Sequence, residues 1–133
     1  MNDADRHLIF HRVPFTQLLG VRRAFSRGGK ARLVVHARPE LENLIHAMHG
    51  GVVATLVDVA MASAAVSQID FARTAVTLNL NTSFLQPGRG RLTADGEVLD
   101  ITDDVAQCRA VVTDEGGRVV ARAAGSFRYL DFR

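Results

Sequence analysis

The fold is decided by the stretch Gly50–Gln68, which reads Gly-Gly-Val-Val-Ala-Thr-Leu-Val-Asp-Val-Ala-Met-Ala-Ser-Ala-Ala-Val-Ser-Gln. It is almost entirely apolar or small, it is rich in alanine, and it is longer than a typical strand. Length and composition therefore predict a buried helix. No other segment predicts a long helix, so the rest of the chain is expected to be arranged around this one.

A short helix and two strands are predicted before the long helix. Pro14 suits a first helical turn and Gly20 suits a helix end, which predicts a helix over residues 14–20. Residues 21–27 and 30–38 flank Gly28-Gly29, a pair with the positive-φ freedom that the turn of a β-hairpin needs. Residues 39–48 show little periodicity and are predicted to form a loop.

Four more strands are predicted after the long helix, at residues 75–85, 91–101, 105–113 and 118–130. In the first of these, strict alternation puts Val76, Leu78, Leu80, Thr82 and Phe84 on one face and Thr77, Asn79, Asn81 and Ser83 on the other. We therefore expect one α+β domain over residues 1–133, with an antiparallel sheet of about six strands wrapped around one long central helix.

Composition excludes several classes of function. The chain has 133 residues, of which 47% are hydrophobic and 23% charged, a balance typical of one globular domain. The net charge is only +2, and no run of basic residues is dense enough for a nucleic-acid or membrane-surface partner. A small anionic ligand remains compatible with this charge.

The expected compartment is the cytoplasm. Cys108 is the only cysteine and cannot form an internal disulfide, and the N-terminal sequence carries acids where a signal peptide needs positive charge. The most apolar run, residues 52–66, contains Asp58 and is shorter than the ~20 residues that cross a bilayer. We therefore expect no membrane-spanning segment.

Asp58 is the one charged side chain of the long helix. A buried carboxylate without a partner is costly, so Asp58 either faces solvent, pairs with an arginine from a strand, or serves chemistry. The side chains three, four and seven residues away are small or flexible, which leaves room for a ligand to approach. A carboxylate in an apolar cleft suits a general base, or a nucleophile that attacks a carbonyl carbon.

His49-Gly50-Gly51 stands where the long helix begins. The first N–H groups of a helix lack internal partners, and glycines allow a ligand oxygen to come close, so this segment is either an oxyanion hole or simply a flexible junction. Asp58 follows Gly50 by eight residues, or ~12 Å along a helix. If both act on one carbonyl, a two-fold dimer has to bring Asp58 of one subunit near Gly50 of the other.

Residues 43–58, Asn-Leu-Ile-His-Ala-Met-His-Gly-Gly-Val-Val-Ala-Thr-Leu-Val-Asp, resemble the signature of hotdog-fold acyl-CoA thioesterases of the phenylacetate-pathway (PaaI-like) type. In that family an Asn precedes His-Gly-Gly by six residues and an acid follows the His by nine, and both spacings hold here. Residues 77–88, 14–20 and 124–128 also resemble the family, so the likeness covers nearly the whole chain. It implies a hotdog fold that pairs into dimers and commonly into tetramers.

The resemblance also implies roles for single residues. Asp58 is expected to activate water or attack the thioester, and the Gly50 N–H, with Gly51 beside it, to bind the thioester oxygen. Asn43 is expected to position the water or the leaving side, His49 to orient the site, and Thr77 to assist the nucleophilic water. One departure is His46, where the family usually has a small residue, often Gly, so the loop and the acyl pocket are expected to differ.

No metal or cofactor is expected, because the five histidines show no convincing ligand spacing and coenzyme A is part of the substrate. Arg89, Arg91 and Arg128 are candidates for contacts with the CoA phosphates or for ordinary solvated side chains. Two other functions remain open. One is an acyl-thioester hydratase or dehydratase on the same fold, with a histidine as base; the other is a non-catalytic module that binds acyl-CoA.

Overall fold

The computed structural model describes residues 1–132, in which one long helix lies against a six-stranded antiparallel sheet. The helices are α1 (Asp3–His11), α2 (Pro14–Leu19) and α3 (Gly50–Gln68), with a 3₁₀ turn at Pro39–Leu41. The strands are β1 (Arg22–Arg27), β2 (Lys30–His36), β3 (Thr74–Phe84), β4 (Arg91–Thr102), β5 (Val105–Thr113) and β6 (Val119–Leu130). Their order in the sheet is β1-β2-β4-β5-β6-β3. The predicted fold class is confirmed.

The predicted elements agree closely with the observed ones. The long helix begins at Gly50 and ends at Gln68, as predicted, and each strand begins and ends within two residues of its predicted limits. The predicted sequence of helices and strands was incomplete, because it lacked α1, which precedes the short helix. Asn2 caps α1 by accepting a hydrogen bond from the Asp5 N–H at 2.9 Å, and Phe10 buries its ring in the core.

One side of α3 forms the core with the sheet. Leu56, Val57, Ala60 and Met61 are fully buried on it. The helix backbone comes so close to β4 that a Cβ atom on Gly96 would lie 2.6 Å from the Ala60 carbonyl oxygen. A side chain at position 96 would therefore push the helix off the sheet.

The length argument against a membrane span was wrong. The helix has 19 residues and an 18-residue window of mean hydropathy 1.6, enough by length and composition to cross a bilayer. Half of that window is buried inside the protein. The apolar character of α3 is therefore explained, on its buried side, by packing against the sheet.

The other side of α3 is not covered by this chain. Ala54, Thr55, Asp58, Ala62 and Ser63 are all partly exposed there. The sheet covers one side of the helix only, which leaves the helix with an open face. Small side chains with one carboxylate line the open side.

The edge strand β3 is similarly uncovered. Its exposed apolar side chains include Val76, Leu78, Leu80 and Phe84, with relative exposures of 37–55%. Only β6 pairs with β3, so one row of its backbone N–H and C=O groups has no partner strand among residues 1–132. A long apolar edge of this kind is a template for pairing with another chain.

Candidate active site

Asp58 opens on a groove between α3, α1 and the start of β3. The groove has a volume of about 410 Å³. Its walls are mainly apolar and include Ile9, Phe10, Val13, Val59, Ala62, Val66, Phe71 and Val76. The carboxylate is partly exposed at the groove surface rather than sealed in the core, so the cleft predicted around Asp58 exists.

Thr77 holds the Asp58 carboxylate. The Thr77 hydroxyl donates a hydrogen bond to Asp58 Oδ1 at 2.7 Å. This contact needs Thr77 on the helix side of the sheet, where its cross-strand partner Phe127 is fully buried. The bond fixes one carboxylate oxygen and leaves Oδ2 as the atom without a protein donor among the described residues.

A β-bulge explains why the predicted faces of β3 were wrong. The register with β6 shifts between Thr77 and Asn79, so Thr77 shares a face with Leu80 and not with Asn79. The extra residue of a bulge reverses the alternation locally. Strict period-two alternation had placed Thr77 opposite to the position that it occupies.

At the start of α3, His49 is the N-cap. Its Nδ1 accepts a hydrogen bond from the Gly51 N–H at 2.8 Å, so the ring carries its proton on Nε2. The Gly50 N–H, in contrast, has no acceptor among the described residues. Of the two glycines predicted to bind an oxyanion, Gly50 therefore has a free donor, and the Gly51 donor is occupied by the cap.

Asn43 shapes the loop before α3. Its Oδ1 accepts hydrogen bonds from the backbone N–H groups of Ile45 and Ala47, both at 3.1 Å. Between them His46 has φ of 59°, a left-handed conformation that Gly adopts without strain. His46 thus keeps the backbone conformation that suits the family's usual Gly, and its ring is exposed, with Nδ1 3.8 Å from Glu42 Oε1.

Gly50 lies on a second groove, separate from the first. This groove has a volume of about 290 Å³ and is lined by Asn43, Ile45, Ala47, Met48, Gly50, Val53, Phe84, Leu85, Gln86, Pro87, Gly88 and Val120. None of these is an acid, and none lines the Asp58 groove. One chain therefore holds the carboxylate and the free amide in two different places.

The three arginines predicted to contact CoA are dispersed. Arg89 is exposed next to the Gly50 groove and donates to the Ile45 carbonyl oxygen at 3.2 Å. Arg91 is exposed at the start of β4. Arg128 lies between the buried Phe127 and Tyr129 of β6 and is exposed, so it faces away from α3. A CoA contact remains a prediction for all three.

Sequence reasoning missed the contribution of α1 to the site. Arg6, Ile9 and Phe10 of this helix form one wall of the Asp58 groove. The signal that could have found the helix is Asn2 followed by acids at positions 3 and 5, which is typical of a helix start. Among residues 1–132, no three His, Cys, Asp or Glu side chains are grouped so that they could hold a metal ion.

Comparison with known proteins agrees with this architecture. A family model described as the thioesterase superfamily matches residues 46–121, which include α3 and most of the sheet. The chain belongs to this superfamily, and its fold is the hotdog fold. Membership supports thioester hydrolysis as the general class of activity.

Three individual proteins are similar to the chain. A candidate esterase of Halobacterium salinarum is 35% identical over 123 residues, covering 83% of this chain and 80% of the relative. The structure of a candidate esterase of Mycobacterium tuberculosis has a TM-score of 0.83 at 27% identity, covering 91% and 99% of the two chains. The PaaI protein of the Escherichia coli phenylacetic acid degradation operon has a TM-score of 0.85 at 23% identity, covering 93% and 89%.

Proposed function

We propose that this protein hydrolyses an acyl-CoA thioester to a free acid and coenzyme A, in a site formed by two copies of the chain. The observation that carries the proposal is the separation of the two grooves. Asp58 and Thr77 line one, and the free Gly50 N–H lines the other. Each groove alone lacks half of what thioester hydrolysis needs.

Pairing of two β3 edges would join the halves. The strand runs from Thr74 to Phe84, so its midpoint is Asn79. Antiparallel pairing about a two-fold axis at the midpoint sets Thr74 opposite Phe84 of the partner subunit. Thr74 lines the Asp58 groove and Phe84 lines the Gly50 groove, so the carboxylate groove of one subunit meets the amide groove of the other.

The same pairing covers the exposed apolar side chains of β3 and brings the open side of α3 close to the second copy. We therefore propose a homodimer. Two such dimers that pack through another surface would form a dimer of dimers. Light scattering measures the mass of the oligomer in solution directly. A monomer at micromolar concentration would contradict a shared site.

The reaction begins with the thioester oxygen accepting the Gly50 N–H of the partner subunit. With Asp58 as base, the carboxylate takes a proton from water while the water oxygen bonds to the carbonyl carbon. Negative charge then develops on the carbonyl oxygen, next to the helix N-terminus. The C–S bond breaks, the carbonyl re-forms, and the CoA sulfur leaves with the proton that Asp58 held.

With Asp58 as nucleophile, Oδ2 bonds to the carbonyl carbon and the CoA thiolate leaves, which gives a mixed anhydride that water then hydrolyses. Thr77 serves both routes by fixing Oδ1, and His49 and Asn43 hold the backbone that presents the Gly50 amide. Oxygen-18 from labelled water entering the carboxylate of Asp58 in a single turnover is expected only for the nucleophilic route.

Replacement of Asp58 by Asn or Ala tests the function. We expect turnover to fall by at least ~10²-fold with the oligomer intact, because the proton acceptor is lost. Asp103→Asn is a matched control, since Asp103 is an exposed acid in the turn between β4 and β5. A chromogenic thiol reagent measures the released CoA across a panel of acyl- and arylacetyl-CoA thioesters.

The same assay separates the alternatives. A hydratase or dehydratase releases no thiol and instead changes the enoyl absorbance, and a binding module retains acyl-CoA without consuming it. Among residues 1–132, no contact favours His49 as the base, because its Nδ1 caps α3. Near-normal turnover in Asp58→Asn would remove this carboxylate from the mechanism.

A further inference from the structure

The far end of the Asp58 groove carries a positive charge. Asp58, Ala62 and Val66 line the groove along α3, and Val66 follows Asp58 by eight residues, or ~12 Å along the helix. Arg6 on α1 also lines the groove, and its Nη2 donates to Asp70 Oδ1 at 3.1 Å. Asp70 follows the C-terminal end of α3, so Arg6 lies at the end of the groove away from the carboxylate that we place in catalysis.

Arg6 has hydrogen-bond donors that the protein does not use. Its side chain is only 17% exposed, and Asp70 takes one of its five N–H groups. Within residues 1–132, the buried Nε has no acceptor at all. A buried N–H without a partner is unfavourable, and that cost falls if a bound molecule supplies an oxygen at this place.

Two other polar groups of the groove are already engaged. The Thr16 hydroxyl donates to the Val13 carbonyl oxygen at 3.1 Å, and the Ser26 oxygen accepts from Arg23 Nε at 2.7 Å. Between Asp58 and Arg6 the walls are mainly apolar, with the hydroxyls of Ser63 and Thr74 among them. The groove is thus mainly apolar, with a carboxylate at one end and an arginine with spare donors at the other.

We propose that Arg6 selects acyl groups that carry an oxygen acceptor, a hydroxyl or a carboxylate, at the end remote from the thioester. This inference rests on the proposed function, because it assumes that the thioester carbon lies at Asp58. An extended chain advances about 3.6 Å over three bonds, so a terminal oxygen on a chain of about eight carbons lies ~10 Å from the thioester carbon, in the part of the groove that Val66 lines.

The experiment compares three thioesters of equal length on the wild-type protein: octanoyl-CoA, 8-hydroxyoctanoyl-CoA and the mono-CoA thioester of octanedioic acid. We expect at least one oxygenated thioester to have a kcat/KM about 10- to 100-fold above that of octanoyl-CoA, because an arginine donor then has an acceptor. The better of the two identifies the oxygen as hydroxyl or carboxylate. Equal or lower values for both would overturn the inference.

Variants test whether Arg6 is responsible. In Arg6→Gln, the ratio of kcat/KM for the preferred oxygenated thioester to kcat/KM for octanoyl-CoA is expected to fall to within about twofold of unity. Arg12 is an exposed arginine at the end of α1, and Arg12→Gln is expected to keep the wild-type ratio. A thermal melt checks folding. If Arg6→Gln does not fold, Arg6→Lys keeps the charge but lacks the guanidinium donors and is expected to lose most of the preference.

Failure of this inference is distinguishable from failure of the proposed function. If octanoyl-CoA is hydrolysed as well as the oxygenated thioesters, only the role of Arg6 is contradicted and the proposed function stands. If no thioester is hydrolysed, calorimetric binding of 8-hydroxyoctanoate, octanedioate and octanoate still measures the preference. Weaker or equal binding of both oxygenated acids then counts against Arg6.

Discussion

Replacing Gly50 by proline removes one N–H group and little else. Gly50 is the first residue of α3, where proline is well tolerated, and its N–H has no acceptor among the described residues. His49 has φ −57° and ψ 138°, the extended conformation that precedes proline readily. A Cβ atom at position 50 meets the Phe84 ring at 3.7 Å, an ordinary contact. We expect the Gly50→Pro protein to fold.

The expected loss of activity is large. Removing one donor from an oxyanion hole costs about 2.7–4 kcal/mol in the transition state, so kcat is expected to fall by about 10²- to 10³-fold. Gly50→Ala keeps the N–H and adds the same Cβ, and its kcat is expected to stay within about threefold of wild type. Thiol release gives the rates, and a thermal melt and light scattering check fold and mass. Equal rates for the proline and alanine variants, both folded and oligomeric, would refute the assignment of this amide.

Mixing the proline variant with Asp58→Asn extends the test to the shared site. In a mixed dimer, one site has both substitutions and the other has neither. Unfolding and refolding an equimolar mixture is therefore expected to restore about a quarter of the wild-type activity. If each site lay within one chain, every site in the mixture would carry one substitution and no activity would be restored. A mixture that has demonstrably exchanged subunits and is still inactive therefore contradicts the cross-subunit arrangement.

Three further outcomes are expected. Lysines at Leu78 and Leu80 together should convert the oligomer into inactive monomers, seen by light scattering, because charge on an edge strand blocks pairing. Cys108 should not react with the thiol reagent at pH 8 in the folded protein, since burial raises the pKa of its thiol to about 11; reaction without denaturant would contradict this. The pKa of Asp114 is lowered by the backbone N–H of Arg118, so its stabilisation is present above about pH 4 and lost as pH falls through the lowered value. The melting-temperature difference between wild type and Asp114→Asn should shrink over that range, and a constant difference would count against this bond.

The ends of α3 could be predicted because the sequence itself encodes them. His49-Gly50-Gly51 combines a cap with residues that permit a helix start, and the alanine-rich run allows no strand of that length. The turns with paired glycines or with Asp103-Asp104 are equally local, and both aspartates have positive φ values. Local chemistry of this kind is visible in a sequence, so most strand limits follow from it.

The side to which Thr77 points could not be predicted in the same way. Residues 75–85 alternate without interruption, and nothing in them marks the bulge between Thr77 and Asn79. The bulge depends on the register with β6, which is a non-local property. The hydrogen bond from Thr77 to Asp58 therefore becomes visible only in the structure, although the resemblance had already associated the two residues.

The partial exposure of Asp58 follows from a similar limit. An apolar helix predicts burial on all sides, but it does not say which molecule covers each side. The sheet of this chain covers one side of α3, and the open side carries Asp58 among small residues. The helix sequence is thus consistent with two covering surfaces, of which a single chain supplies one.

The edge of β3 links stability to activity. An unpaired apolar strand exposes backbone groups and large side chains, and it promotes aggregation unless it is paired. In the dimer that we propose, pairing with a second copy removes that hazard and, by the same register, sets the groove of Asp58 against the groove of Gly50. A substitution that weakens the edge is then expected to reduce activity even where it touches no reacting atom, because the free amide and the carboxylate are separated when the copies part. If the site is shared as proposed, the apolar residues of β3 are as necessary to the chemistry as the carboxylate, although they take no part in any bond that forms or breaks.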